Sequence, residues 1–214
     1  MCNLYRMTKG TQEAARLFAV EGDLTANYSA EVYPGYPGLV VAEGRAAAMS
    51  WGFPLVLKGK QGKQLKPKPV TNVRADKLGT AFWRDSFARR RCLIPVSQWA
   101  EPRGVAGRMT RSWYGLPGED VFAVAGLWRQ TAQWGACYTM VMTESSAEMA
   151  DVHDRMPVIL AHADWPRWTG GGTDDALALC KTWTGALSAD HTAGRWVVTP
   201  RWRRCRGCFS AAQP

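Results

Sequence analysis

The longest apolar run in this chain, residues 121–128, stops at Arg129. A bilayer-spanning helix needs about 18 such residues, so a membrane span is excluded. What remains is a series of short apolar stretches separated by Gly, Pro and polar turns. Strand candidates fall at 91–94, 97–100, 113–116, 121–127, 136–143, 156–160 and 195–199. Residues 39–42 and 46–51 flank Glu43-Gly44-Arg45 and read as a hairpin. Helical spacing recurs at 11–20, with Thr11 placed to cap it, and at 77–89, with Leu78, Ala81, Phe82 and Phe87 inward. Weaker helices are expected at 147–152 and 174–182. Short strands joined by tight turns predict a largely antiparallel α+β domain rather than βαβ units. Residues 58–69 (KGKQGKQLKPKP) read as a basic loop, mobile without a ligand.

The 214 residues suit one domain at about 150 residues per domain. We expect it over residues 1–200, with 201–214 as a basic tail. At 46% hydrophobic and 21% charged, the chain can build a sizeable core. Its net charge of +9 is unevenly spread. Residues 58–111 hold 14 basic and 3 acidic groups, residues 112–190 hold 4 and 10, and residues 191–214 hold 5 arginines and no acid. Such segregation reads either as a surface for a polyanion, most simply nucleic acid, or as a solubilising surface with one lysine loop. Arg6, Lys9 and Glu13 stand where a signal peptide would be apolar, so a cytoplasmic protein is expected, its six cysteines free thiols. Cys205-x2-Cys208 invites zinc, but no second such pair supplies four ligands, and neither metal nor cofactor is expected.

Cys2 is the first residue that could carry chemistry. Once Met1 is removed, Cys2 presents both an α-amine and a thiol. An α-amine with a pKa of about 7.7–8.0 is partly a neutral nucleophile near pH 7 and condenses with aldehydes. A thiol on the next carbon can then close a five-membered thiazolidine. No internal cysteine can do this, because its nitrogen lies in a peptide bond.

Three further segments stand out: 71–76 (TNVRAD), 90–95 with Glu101 shortly after, and 153–160 (HDRMPVIL). Together with the Met-Cys start and Met49-Ser50-Trp51-Gly52, they resemble the SRAP (SOS response-associated peptidase) family of abasic-site processing proteins, from residue 1 to about 160. The resemblance implies an SRAP fold: one compact domain with a mainly antiparallel, barrel-like sheet and flanking helices. It implies a protein that binds single-stranded DNA and crosslinks to the ring-opened aldehyde of an abasic site through Cys2, in the cytoplasm and at the nucleoid when on DNA; a monomer is expected, since nothing in the sequence suggests an obligate dimer. Asn72 would help hold Cys2, Glu101 and His153 would be the acid/base pair, and Arg74 and Arg155 would bind phosphate. The family label also implies peptidase activity, at least self-removal of the N-terminal methionine, and a lyase-like reversal. Here Asn3-Leu4 replaces the usual Gly-Arg, and Pro102 the usual aromatic.

The residue types admit other uses. Glu101 suits a surface carboxylate paired with Arg103, or a proton donor whose pKa is raised by burial beside Trp99. His153 suits a loop histidine paired with Asp151 or Asp154, or a general base. Arg74 and Arg155 could pair with Asp76 and Asp154, or clamp phosphates. Trp51, with Pro34 and its neighbouring tyrosines, suits base stacking, against a bland reading as core. Two other functions use the same residues: a cysteine peptidase built on Cys2, His153 and Asn72, and a single-strand binder without chemistry.

Overall fold

Alternate residues of the apolar stretches feed two different cores, which explains why those stretches are nearly continuous rather than alternating. Leu39, Val41, Leu93, Ala123, Ala125, Leu127 and Val141 face one core, which the helices cover through Phe18, Phe87 and Trp168. Val40, Cys92, Ile94, Val124, Tyr138 and Met140 face the other, together with Cys2, Tyr5, Trp99 and Tyr114. Side chains alternate along a strand with period two, so a strand buried on both faces must be apolar at every position.

The computed structural model describes residues 2–22, 28–60 and 62–196. Five strands close a ring: Pro37–Ala42, Arg45–Trp51, Gly135–Glu144, Phe122–Thr131 and Arg91–Val96, which returns to Pro37–Ala42. Four contacts in the ring are antiparallel. The fifth, Cys137↔Ser50 and Tyr138↔Trp51, is parallel. A second, wholly antiparallel sheet runs Glu31–Val32, Tyr5–Arg6, Gln98–Arg103, Thr110–Gly115 and Ser188–Arg195. The chain crosses from ring to sheet at Ser97. This is the expected α+β, mainly antiparallel, barrel-like architecture.

The hairpin turn falls where it was expected. Glu43 (φ 51°) and Gly44 (φ 75°) are both left-handed, the two-residue geometry whose twist matches the strands it joins. Inside the ring the Tyr5 and Tyr138 hydroxyls bond to each other directly above Gly38. A methyl group at Gly38 would collide with both. Gly38→Ala should therefore cost about 1–3 kcal/mol by overpacking. Urea denaturation checks it: an unchanged midpoint would show that the tyrosine pair can yield.

Helices are where the sequence reading departs most. The first covers Thr11–Leu17, with Gly10 at its cap and no side-chain capping bond, so Thr11 lies inside the helix. Residues 77–89 hold only Arg84–Arg89 as α-helix, after a 3-10 turn at Ala75–Lys77; Trp83 is buried there and Ala81 is exposed. Helix Trp165–Gly170 and strand Ser188–Arg195 were missed, the latter because it is largely polar. Residues 58–69 are not wholly loop. Phe53–Leu55 pairs with Lys68–Val70, and Leu65 N–H donates to Leu57 C=O at 2.8 Å, so the segment is a β-arm. The end of the strand expected at 195–199, the 201–214 tail and Cys205-x2-Cys208 lie outside the described residues. No helix among the described residues is long and apolar enough to cross a membrane.

Candidate functional site

One ring strand, Gly135–Glu144, gathers most of the singled-out residues. Asn72–Arg74 runs parallel to it, placing Asn72 opposite Met140 and Arg74 opposite Met142. Arg155–Pro157 runs antiparallel on its other side, placing Arg155 opposite Glu144. Segments separated by some 80 residues of sequence thus meet at one end of one strand.

Cys2 is completely buried, and its thiol donates to Leu4 C=O at 3.4 Å. The Asn72 side-chain amide spends both hydrogens locally. Nδ2 donates to Cys2 C=O at 2.7 Å and to Thr71 Oγ1 at 3.0 Å. The carbonyl partner can only accept, so the orientation of the amide is determined. Its oxygen, Oδ1, is buried and accepts no hydrogen bond from the described residues. Thr71 is in turn held from below, its C=O accepting from the Trp51 indole N–H at 3.0 Å.

Glu101 is fully buried, and neither carboxylate oxygen has a hydrogen-bond partner among the described residues. It is not the surface partner of Arg103. Burial raises its pKa to about 7, against a lowering by the positive N-terminal α-amine and with a smaller push upward from Asp154. Burial raises the Cys2 thiol well above its usual range, and Glu101 pushes it further in the same direction. Each unmade buried hydrogen bond costs about 1–3 kcal/mol. Three such acceptors clustered around one cysteine mark a place where a donor is expected to arrive.

His153 precedes the Arg155 strand. Its Nδ1 accepts from the Arg155 backbone N–H at 3.0 Å and lies 3.0 Å from Asp154 Oδ1. Burial lowers its pKa, and Asp154 works in the opposite direction. The net shift leaves a neutral imidazole near pH 7. Arg74 forms a two-pronged pair with Asp76, both bonds 2.7 Å, and Arg155 lies 3.8 Å from Asp154. Both arginines therefore have the acidic neighbours that their sequence context offered. The Arg74 pair is exposed, so its energy is small and a phosphate can compete for the guanidinium.

Trp51 requires a correction. It is fully buried, lying parallel to Tyr138 at 6.4 Å and edge-on to Tyr5 at 5.1 Å. No face of it is open to a base, because the ring closure at Tyr138↔Trp51 draws it into the core. Pro34 occupies the second position of a turn closed by Tyr36 N–H to Tyr33 C=O at 2.9 Å, with Gly35 at φ 82°. Half-buried Pro34, Tyr33 and Tyr36 are the exposed counterpart of Trp51. Sequence reasoning passed over Thr71 and Ser112. The signal for Thr71 was its place next to Asn72.

A closed barrel that buries Cys2 beside unpaired acceptors of Asn72 and Glu101 defines the class by fold and site. The chain matches the SOS response associated peptidase (SRAP) family model over residues 1–202, and it belongs to that family. Among curated proteins it is 30% identical over 130 residues to the abasic site processing protein YoaM of Bacillus subtilis. That match spans 58% of this chain and 56% of YoaM, little more than half its length. Against YoqW of Bacillus subtilis, also named an abasic site processing protein, identity is 27% over 161 residues, 71% and 70% of the two chains. Two solved structures share the fold, each with a TM-score of 0.75. One, from Bacteroides thetaiotaomicron, is 16% identical over 89% of this chain and 91% of its own. The other, from Bordetella bronchiseptica, is 21% identical over 89% and 99%.

Proposed function

We propose that this protein acts on abasic sites in DNA during the damage response, capturing the ring-opened aldehyde in single-stranded DNA as a thiazolidine on Cys2. The observation that carries the reading is the convergence of Cys2, Asn72 and a buried, unpaired Glu101 of pKa about 7. The names of the relatives supply the lesion.

The chemistry starts when Met1 is removed and the Cys2 nitrogen becomes an amine. That nitrogen attacks the aldehyde carbon. His153, neutral near pH 7, takes a proton from the attacking nitrogen and returns it to the alkoxide oxygen, so the carbinolamine carries a hydroxyl. Glu101 in its acid form protonates the departing hydroxyl, water leaves, and an iminium remains. Asn72 Oδ1 and the new Glu101 carboxylate are then acceptors facing a cation. The thiol adds to the iminium carbon and its proton passes to Glu101, which regains its acid form. The sum is aldehyde, amine and thiol giving thiazolidine and water. A pKa near 7 lets one group serve both steps. Running the steps backwards releases the DNA, a lyase-like reversal.

Peptidase action through the same Cys2 is the second reading, and the family name favours it. Self-removal of Met1 is its natural form. A thiol whose pKa burial raises is a poor first nucleophile, so we rank it below amine-first capture. Non-covalent binding alone would leave the buried acceptors without a purpose.

The test is a denaturing gel of mature protein incubated with single-stranded DNA carrying one abasic site. A shifted band is expected; its absence overturns the proposal. Electrostatics supply a further prediction. The β-arm exposes Lys58, Lys60, Lys63, Lys66 and Lys68, and its root is two residues from Asn72. Each contact with a single-strand phosphate contributes about −0.7 to the slope of log K against log salt. Replacing Lys58, Lys63 and Lys66 by Gln should weaken binding and flatten that slope by about 2. Slopes that coincide would assign the arm to solubility.

A further inference from the structure

Glu101 must be loaded with its proton before capture begins, yet it has no access to solvent and no hydrogen-bond partner among the described residues. Its cross-strand neighbour is Ser112, and the neighbour of Ser112 on the next strand is His191. Residues directly opposed on paired strands share a face, with Cβ atoms about 4.5–5.5 Å apart. The three side chains therefore form one row across three strands. Ser112 is itself fully buried, and its Oγ lies 2.9 Å from His191 Nδ1. His191 is exposed, beside an irregularity in the pairing between Thr110 and Ser112 that turns the strand at that point.

We propose that Ser112 and His191 form the hydrogen-bond relay by which the enclosed Glu101 exchanges protons with solvent; the proposal rests on the capture chemistry above. The carboxylic acid turns about its side-chain bonds to reach Ser112 Oγ. The Glu101 proton passes to Oγ as the Ser112 hydroxyl proton passes to His191 Nδ1, leaving a carboxylate and an imidazolium. Nε2–H of the imidazolium then releases a proton to water. Nothing is oxidised, and each oxygen and nitrogen returns to its usual valence. Return of a proton by the same route resets the acid.

Other groups also face this row. The N-terminal α-amine and Asp154 act on Glu101, Glu101 in turn acts on Cys2, and the Tyr114 phenol hydrogen-bonds Ser112. Tyr114 also senses Asp151 and Arg103, and its ring meets the His191 ring edge-on at 6.5 Å. Ser112 and His191 are positioning residues in this scheme, since neither touches the reacting atoms.

The experiment compares Ser112→Ala, His191→Gln and the double variant, with Ser112→Ala small enough to keep the fold. Two readouts are taken on mature protein. Without DNA, the 13C resonance of the Glu101 carboxyl is followed against pH. The Glu101 curve should change in the same way in both single variants, because either one breaks the row. With abasic single-stranded DNA added at once after a jump from about pH 9 to about pH 6, when Glu101 must first reload its proton, each single variant should capture about tenfold more slowly, and the double variant no more slowly than either, because a series relay is broken only once. A Glu101 titration unmoved by either variant, or effects that multiply in the double variant, overturns the relay. If wild type shows no capture at all, the capture reading fails, while the 13C titration still decides the relay.

Discussion

Cys2→Ala is expected to remove the abasic-site band from a denaturing gel while leaving DNA affinity in place. The α-amine survives this substitution once Met1 is gone, so the variant can still condense with the aldehyde. It cannot close the ring. An open imine hydrolyses during denaturation, whereas a thiazolidine has lost the C=N bond that water attacks. Adding borohydride before denaturation should therefore restore a band for Cys2→Ala by reducing the imine to an amine. This pair of results separates amine-first capture from a thiol-first peptidase, in which alanine would leave nothing to reduce. A wild-type band from Cys2→Ala without reductant would end the proposal.

Glu101→Gln carries the second large effect, in two opposite directions. Losing a general acid/base costs about 10²–10⁴ in rate, so capture should nearly stop. Wild-type capture should slow above pH 7 as the acid form of Glu101 is titrated away. Stability should respond the other way. The Glu101 pKa rises from 4.5 when unfolded to about 7 when folded. The folded state therefore holds the proton more tightly, and the stability this contributes is complete below pH 4.5 and lost as pH rises through 7. By pH 8 the buried carboxylate should cost about 3 kcal/mol. Glutamine avoids that ionisation. The variant should be more stable than wild type at pH 8, with the gap closing toward pH 5. Thermal melts across this range check it, and parallel curves would show that Glu101 does not ionise inside the fold.

The strands were legible because burial on both faces leaves an unmistakable apolar run, as at 121–127, and because Glu43-Gly44 permits few other backbones. Ser188–Arg195 escaped notice for the converse reason: its exposed polar residues carry no pattern. The helix expected at 77–89 broke down because Leu78 and Phe87 reach the core from a 3-10 turn and a short helix, and periodicity alone cannot tell that from one continuous helix. Within the site, residue types and motif order singled out Cys2, Asn72, Glu101 and His153. The burial of Trp51 was not legible, since it follows from a parallel ring closure between Arg45–Trp51 and Gly135–Glu144.

Family, strand content and the amine-thiol pair latent in Cys2 are properties of the sequence itself, for they depend on residue identity and order along the chain. The state of Glu101 is different. A glutamate is an ordinary carboxylate until the fold encloses it, brings Asp154 nearby and leaves it without a hydrogen-bond donor among the described residues. Desolvation is set by what surrounds a group in space, and the residues around Glu101 come from both ends and the middle of the chain. The row Glu101–Ser112–His191 likewise exists only through strand register, which no local run of residues encodes.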